Sequence, residues 1–182
     1  MSEKTAQNAN HSSNAPGGPG TALAAPARAK TVEIAFWLLL ASAAAVLIRI
    51  PVAISVLNTD EFKTRLEETF GAYVIVPNWI ASESSAYVWS GIITAVVLAA
   101  IAVLVRMGLG WPRFVLIVVT VLTALNMRVQ FTQEPVVMAA AWVTLAAVLL
   151  MLAATVLLFL PQSGAYFKSS GQYRKDRSLS RA

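Results

Sequence analysis

The chain has 182 residues, a formal net charge of +5, and a composition 57% hydrophobic and only 13% charged, with a mean hydropathy of +0.65. Soluble domains carry about 25% charged residues, so this balance excludes an ordinary soluble domain and points to an integral membrane protein. No cysteine and a single histidine, His11 in a polar tail, leave no basis for disulfides, a thiolate or histidine metal centre, or a serine–histidine triad, and no cofactor is expected.

Residues 1–30 are rich in Ala, Asn, Ser, Gly and Pro, with no aromatic residue and no hydrophobic periodicity. Such a segment buries too little surface to offset ordering entropy, and a disordered tail is expected. Four apolar segments follow, at about 34–57, 86–105, 114–130 and 136–160. Each is near the ~20 residues that cross a bilayer, where the backbone must satisfy its own hydrogen bonds as helix. The fold class expected is an all-α membrane protein: a four-helix antiparallel transmembrane domain over 31–167, with a basic tail at 168–182. A signal-peptidase reading of Ala41–Ala43 is disfavoured, because the apolar run continues beyond it.

Lysine and arginine set the orientation. With the N-terminus inside, Lys4, Arg28, Lys30, Arg106, Arg113, Lys168, Arg174, Lys175, Arg177 and Arg181 are cytoplasmic, against Lys63 and Arg65 outside. The positive-inside rule therefore places both termini in the cytoplasm of a multi-pass plasma-membrane protein. The basic residues flank apolar segments, so their charge is accounted for without a nucleic-acid partner. The C-terminal tail is suited to anionic lipid.

The first segment contains its own anomaly, Arg49 followed by Pro51. By ~1.5 Å per residue, Arg49 and Arg128 are expected at similar depth, in the outer third of a ~30 Å hydrocarbon core. One explanation is snorkelling of the guanidinium groups to the interface. The other is pairing inside the bundle with outer-face acids, Glu134 for Arg128 and Asp60 or Glu83 for Arg49, within a polar cluster of Arg49, Asn126, Arg128, Gln130 and Glu134 that is structural or ligand-binding. Pro51 is expected to kink the helix near its outer end.

Between the first two segments, the loop at 58–85 holds "NTDEFKTRLEETFG". Asn58 with Glu61 reads as a capping box, and Gly71 can end the helix. Glu61 with Arg65, and Lys63 with Glu67, are i,i+4 pairs. Phe62, Leu66 and Phe70 form a narrow apolar stripe. The short helix either lies on the bundle or bilayer surface, or acts as a lid or partner-docking element. Further on, "RMGLGWPRF" is short enough to make the second and third helices neighbours, with Pro112 in the first turn of the third. Trp111 there is an expected interfacial anchor, as are Tyr166 and Phe167 after the fourth segment. Pro161 and Gly164 mark the exit from that segment.

Three stretches, "KTVEIAFWLLLASA", "VRMGLGWPRFVLIVVTVL" and "LFLPQSGAYFK", resemble a loose group of small four-helix membrane proteins common in actinobacteria. That group shows a Phe-Trp-Leu start, a Met-Arg-x-Gly-x-x-Trp-Ala-Arg turn and a Pro-x-Ser-x-x-Tyr-Phe exit. The likeness covers roughly Thr31 to Lys168 and departs at Pro112, where the group has alanine. It implies helix boundaries and no activity.

Three function classes remain. One is a non-enzymatic accessory, assembly or regulatory subunit that binds another membrane protein, a second copy or lipid. Another is an oligomeric transporter or channel for an anion or small solute, using Arg49 and Arg128. The third, a membrane enzyme using Asp60, Glu61 or Glu83 as acid or base, has no catalytic motif behind it.

Overall fold

The computed structural model describes residues 29–132 and 137–179. The tail at 1–28, Glu134, Pro135 and Arg181 lie outside the described residues. The chain forms α1 (Lys30–Leu57), α2 (Asp60–Phe70), a 3₁₀ turn (Gly71–Tyr73), α3 (Val76–Arg106), α4 (Pro112–Thr132), α5 (Met138–Phe159) and α6 (Pro161–Leu179). Among the described residues there is no strand. The helices α1, α3, α4 and α5 are long and apolar enough to cross a membrane.

Two elements differ from the sequence expectation. The second of these helices in chain order, α3, starts at Val76 rather than near Ala86, with Pro77 in its first turn where a missing N–H costs no hydrogen bond. Its first turns are polar enough to fall below a hydropathy threshold, yet helical hydrogen bonding does not require apolar side chains. The expected exit after Phe159 is instead a bend. Leu160 is extended (φ −63°, ψ 149°), and Pro161 opens a further helix, α6, that continues to Leu179.

The helix over 60–70 forms as expected, but its cap is Thr59: its hydroxyl accepts from the Phe62 N–H at 3.3 Å. Asn58 turns back and donates to the Ile54 carbonyl at 2.8 Å. The Glu61–Arg65 pair is present at 2.6 Å, whereas Lys63 pairs with Asp60 at 3.2 Å rather than with Glu67.

Neighbouring long helices run antiparallel. Thr31 at the start of α1 donates to Ser163 Oγ (2.9 Å), which itself donates to the Leu157 carbonyl (2.8 Å). At the other end Leu57 clusters with Val137 and Ala140. The seam between α1 and α5 is built from small residues at helical spacing. Ala35, Ser42, Ala43 and Ala53 are buried on α1, as are Ala140, Thr144, Ala147 and Ala154 on α5. Small side chains let backbones approach closely where no water drives association. The approach is close enough for the Ser42 hydroxyl to donate to the Ala147 carbonyl at 3.0 Å.

Between α1 and α3 the same role falls to Gly91, where an added Cβ would stand 2.8 Å from Ile50 Cδ1. The helix α2 closes the far end: Phe62 is 5% exposed and packs with Ala53, Leu57, Val137 and Ala140, its ring 6.0 Å from that of Trp79. Leu66 is fully buried. The stripe proposed for partner docking is thus largely consumed by the bundle itself, and only Phe70, 38% exposed, remains at the surface. It packs inward because α2 has no other way to cover its apolar side once it folds back over the helix ends.

The helix α6 lies beneath the end where α1 begins and α5 ends. Its buried residues Ser163, Tyr166, Phe167 and Ser170 recur at helical spacing. Tyr166 Oη donates to the Arg106 carbonyl (3.3 Å) and Arg174 Nη2 to the Gly108 carbonyl (2.9 Å). Gly108 is required twice over, by φ +77° and by a Ser170 Cβ that would stand 2.7 Å from any Cβ placed there.

Candidate functional site: a polar cleft around Arg49

The inward stripe of α1 runs Leu39, Ser42, Val46, Arg49 and Ala53, so Arg49 falls on the buried seam, not beside it. It is 7% exposed. Its guanidinium donates through Nη2 to Ser90 Oγ on α3 at 3.2 Å and through Nη1 to Thr144 Oγ1 on α5 at 3.5 Å. The cation lies 5.3 Å from the ring centroid of Tyr87, within cation–π range. Arg49 Nε is buried with no hydrogen-bond partner. No carboxylate comes within 4.0 Å of this guanidinium among the described residues; the ion pairs found there are those of Lys63 and Arg65.

From Thr144 the network crosses to α4. The Thr144 hydroxyl lies 3.4 Å from Gln130 Oε1, and Gln130 Nε2 donates to Asn126 Oδ1 at 3.0 Å. The chain Ser90–Arg49–Thr144–Gln130–Asn126 therefore links all four long helices. It lines a cleft of about 410 Å³. Glu83, Tyr87, Ser90 and Thr94, spaced along one face of α3, form one wall. Leu122, Thr123, Asn126, Val129 and Gln130 of α4 form the other, with Arg49 and Thr144 between them. Two of the lining residues, Leu122 and Val129 on α4, are exposed apolar side chains. Toward the end where α1 begins the bundle closes around the fully buried Leu98, Leu116 and Met151.

Of the residues singled out in the sequence, Arg49, Asn126 and Gln130 come together. Arg128 does not: the inward side of α4 runs Leu116, Thr120 and Met127, and Arg128 lies one step round the helix, exposed. Its side chain makes no hydrogen bond or ion pair among the described residues. The similar depth expected for the two arginines thus conceals opposite environments, and snorkelling does not describe Arg49. Glu134 lies outside the described residues. Sequence reading missed Tyr87, Ser90, Thr94, Thr123 and Thr144. A signal existed in the four-residue and three-residue spacing of Glu83, Tyr87, Ser90 and Thr94, but such hydroxyls are common in membrane helices. Among the described residues no group of His, Cys, Asp and Glu is arranged to hold a metal ion.

No family model, curated protein or solved structure matches the chain.

Proposed function

We propose that this is a non-enzymatic accessory or regulatory protein of the plasma membrane that binds a membrane-resident ligand through the cleft between α3 and α4. Both termini and α6 are cytoplasmic in this reading, and the cleft occupies the outer half of the bundle. The observation that carries it is Arg49: a buried cation among hydroxyls, facing a cavity lined in part by exposed apolar side chains and without a carboxylate partner among the described residues. An ionisable residue placed so inside a membrane bundle is costly to keep and marks a functional site.

Transport is less well supported. Below Thr94 and Thr123 the cleft ends on Leu98, Leu116 and Met151, so a single chain offers a recess rather than a path. Arg128, the second residue invoked for conduction, faces away from it. A photocrosslinking amino acid at Leu122, on the cleft wall, tests the binding reading in native membranes. A discrete adduct is expected that is absent with the same probe at Leu149, exposed on α5 outside the cleft. Indistinguishable labelling at the two positions would contradict it.

A further inference from the structure

Resting on the reading of the cleft as a binding site, we infer that its occupant is the headgroup of an amine-bearing phospholipid, the phosphate on Arg49 and the amine toward Glu83. Four observations converge. Arg49 is over nine-tenths buried and lines the cleft, and its two terminal nitrogens make one hydrogen bond each, to Thr144 and Ser90, which leaves N–H donors unused beside an enclosed Nε. A buried arginine with free donor capacity is the side chain best matched to a phosphate oxygen, by charge and by its planar set of N–H groups.

The surrounding groups complete such a site. The Thr94 hydroxyl and the Asn126 side-chain amide, both on the cleft wall, supply donors for the remaining phosphate and ester oxygens, whereas the hydroxyls of Ser90, Thr123 and Thr144 already donate to the carbonyls of Tyr87, Val119 and Ala140. Among the described residues, Glu83 is the one carboxylate on the wall. It sits on α3 about 10 Å from Ser90 along the helix axis, on the side of the mouth. A plain anion would meet Arg49 favourably and Glu83 unfavourably, whereas a zwitterionic headgroup is matched at both ends.

Size and access agree. A cavity of about 410 Å³ lies within the usual range for small-ligand sites. Its exposed apolar lining residues Leu122 and Val129 would lie along acyl chains that stay in the bilayer, so the headgroup enters sideways between α3 and α4 with its tails still solvated by lipid.

The test is native mass spectrometry of the full chain in detergent, titrated with phosphatidylethanolamine, phosphatidylglycerol, phosphatidylcholine or inorganic phosphate. Phosphatidylethanolamine is expected to bind most tightly, and Arg49→Gln to weaken it by roughly tenfold or more, the loss of a hydrogen bond to a charged group. Glu83→Gln is expected to reduce the preference for phosphatidylethanolamine over phosphatidylglycerol. Arg128→Gln removes the same charge outside the cleft and should leave binding unchanged. Because Arg49→Gln also disturbs packing, Thr123→Trp serves as a second variant: it fills the cleft without touching Arg49's hydrogen bonds, and should abolish binding with the thermal midpoint retained. Equal binding by wild type, Arg49→Gln and Thr123→Trp would overturn the inference. So would inorganic phosphate binding as tightly as the lipid, which would assign the site to a soluble anion. A discrete Leu122 adduct without any lipid selectivity would discard the headgroup assignment while leaving the cleft itself standing.

Discussion

Arg49 of α1 and Ser90 of α3 meet at 3.2 Å, guanidinium to hydroxyl, one residue along each helix from the place where Gly91 lets Ile50 pass. The close approach and the polar contact are one arrangement. With Ile50 in place, the missing side chain of Gly91 gives it room against α3, beside the point where the arginine reaches a serine across the seam, and Thr144 takes its other terminal nitrogen at 3.5 Å.

That arrangement sets the first expectation. Ser90→Ala and Thr144→Val each remove one acceptor from a buried cation. Each should destabilise the bundle by about 1 kcal/mol, the scale of interhelical hydrogen bonds in membranes. A double-mutant cycle with Arg49→Gln, followed by unfolding in mixed micelles, checks it. Strict additivity would mean that the contacts carry no coupling energy.

Gly91→Ala should be tolerated poorly, by about 1–3 kcal/mol, since the new methyl overlaps the Ile50 side chain. The obstacle is the end of a side chain, not backbone. Ile50→Ala should therefore rescue Gly91→Ala when the two are combined, and a thermal melt of the single and double variants decides the matter.

How much of this was legible in the sequence follows from what each residue's signal depends on. The apolar segments were visible because hydropathy reports lipid contact directly. The polar start of α3 and the whole of α6 were not, because their helicity rests on backbone hydrogen bonds and on packing against the bundle. Arg49 stood out as a charge inside an apolar run, yet its depth alone could not separate it from Arg128. Rotation about the helix axis decides that, and helices apolar on all sides carry little periodic signal. With hindsight the small residues Ala35, Ser42, Ala43, Val46 and Ala53 mark the α1 seam and put Arg49 on it. For α2, the capping choice between Asn58 and Thr59 was open to both chemistries. Which way its stripe faced depended on helix ends distant in sequence.

The packing of α2 supplies a third expectation. Leu66→Ala removes a fully buried side chain and should cost about 2–5 kcal/mol. Phe70→Ala, at a position left at the surface, should stay within about 0.5 kcal/mol. Comparable losses at both positions, read from thermal unfolding, would mean that α2 is not seated as described.

At the opposite end, α6 is held by Gly108. Gly108→Ala combines a left-handed backbone, φ +77°, with a methyl placed against Ser170 at 2.7 Å, and should cost about 1–3 kcal/mol. The loss should be local. Trypsin should cut faster at Lys168 and Arg174 in this variant, while cleavage at Lys63 in α2 stays as in the wild type. Uniform acceleration at all three sites would point to global unfolding instead of release of α6.

The measurement that bears most directly on the central claim is an experimental structure of the protein in nanodiscs containing phosphatidylethanolamine, with attention to the cleft between α3 and α4. The expected result is headgroup density in contact with Arg49, beside Thr94 and Asn126, with acyl chains leaving along Leu122 and Val129. A closed cleft, with the Glu83 carboxylate turned onto the Arg49 guanidinium as an internal ion pair, would contradict it.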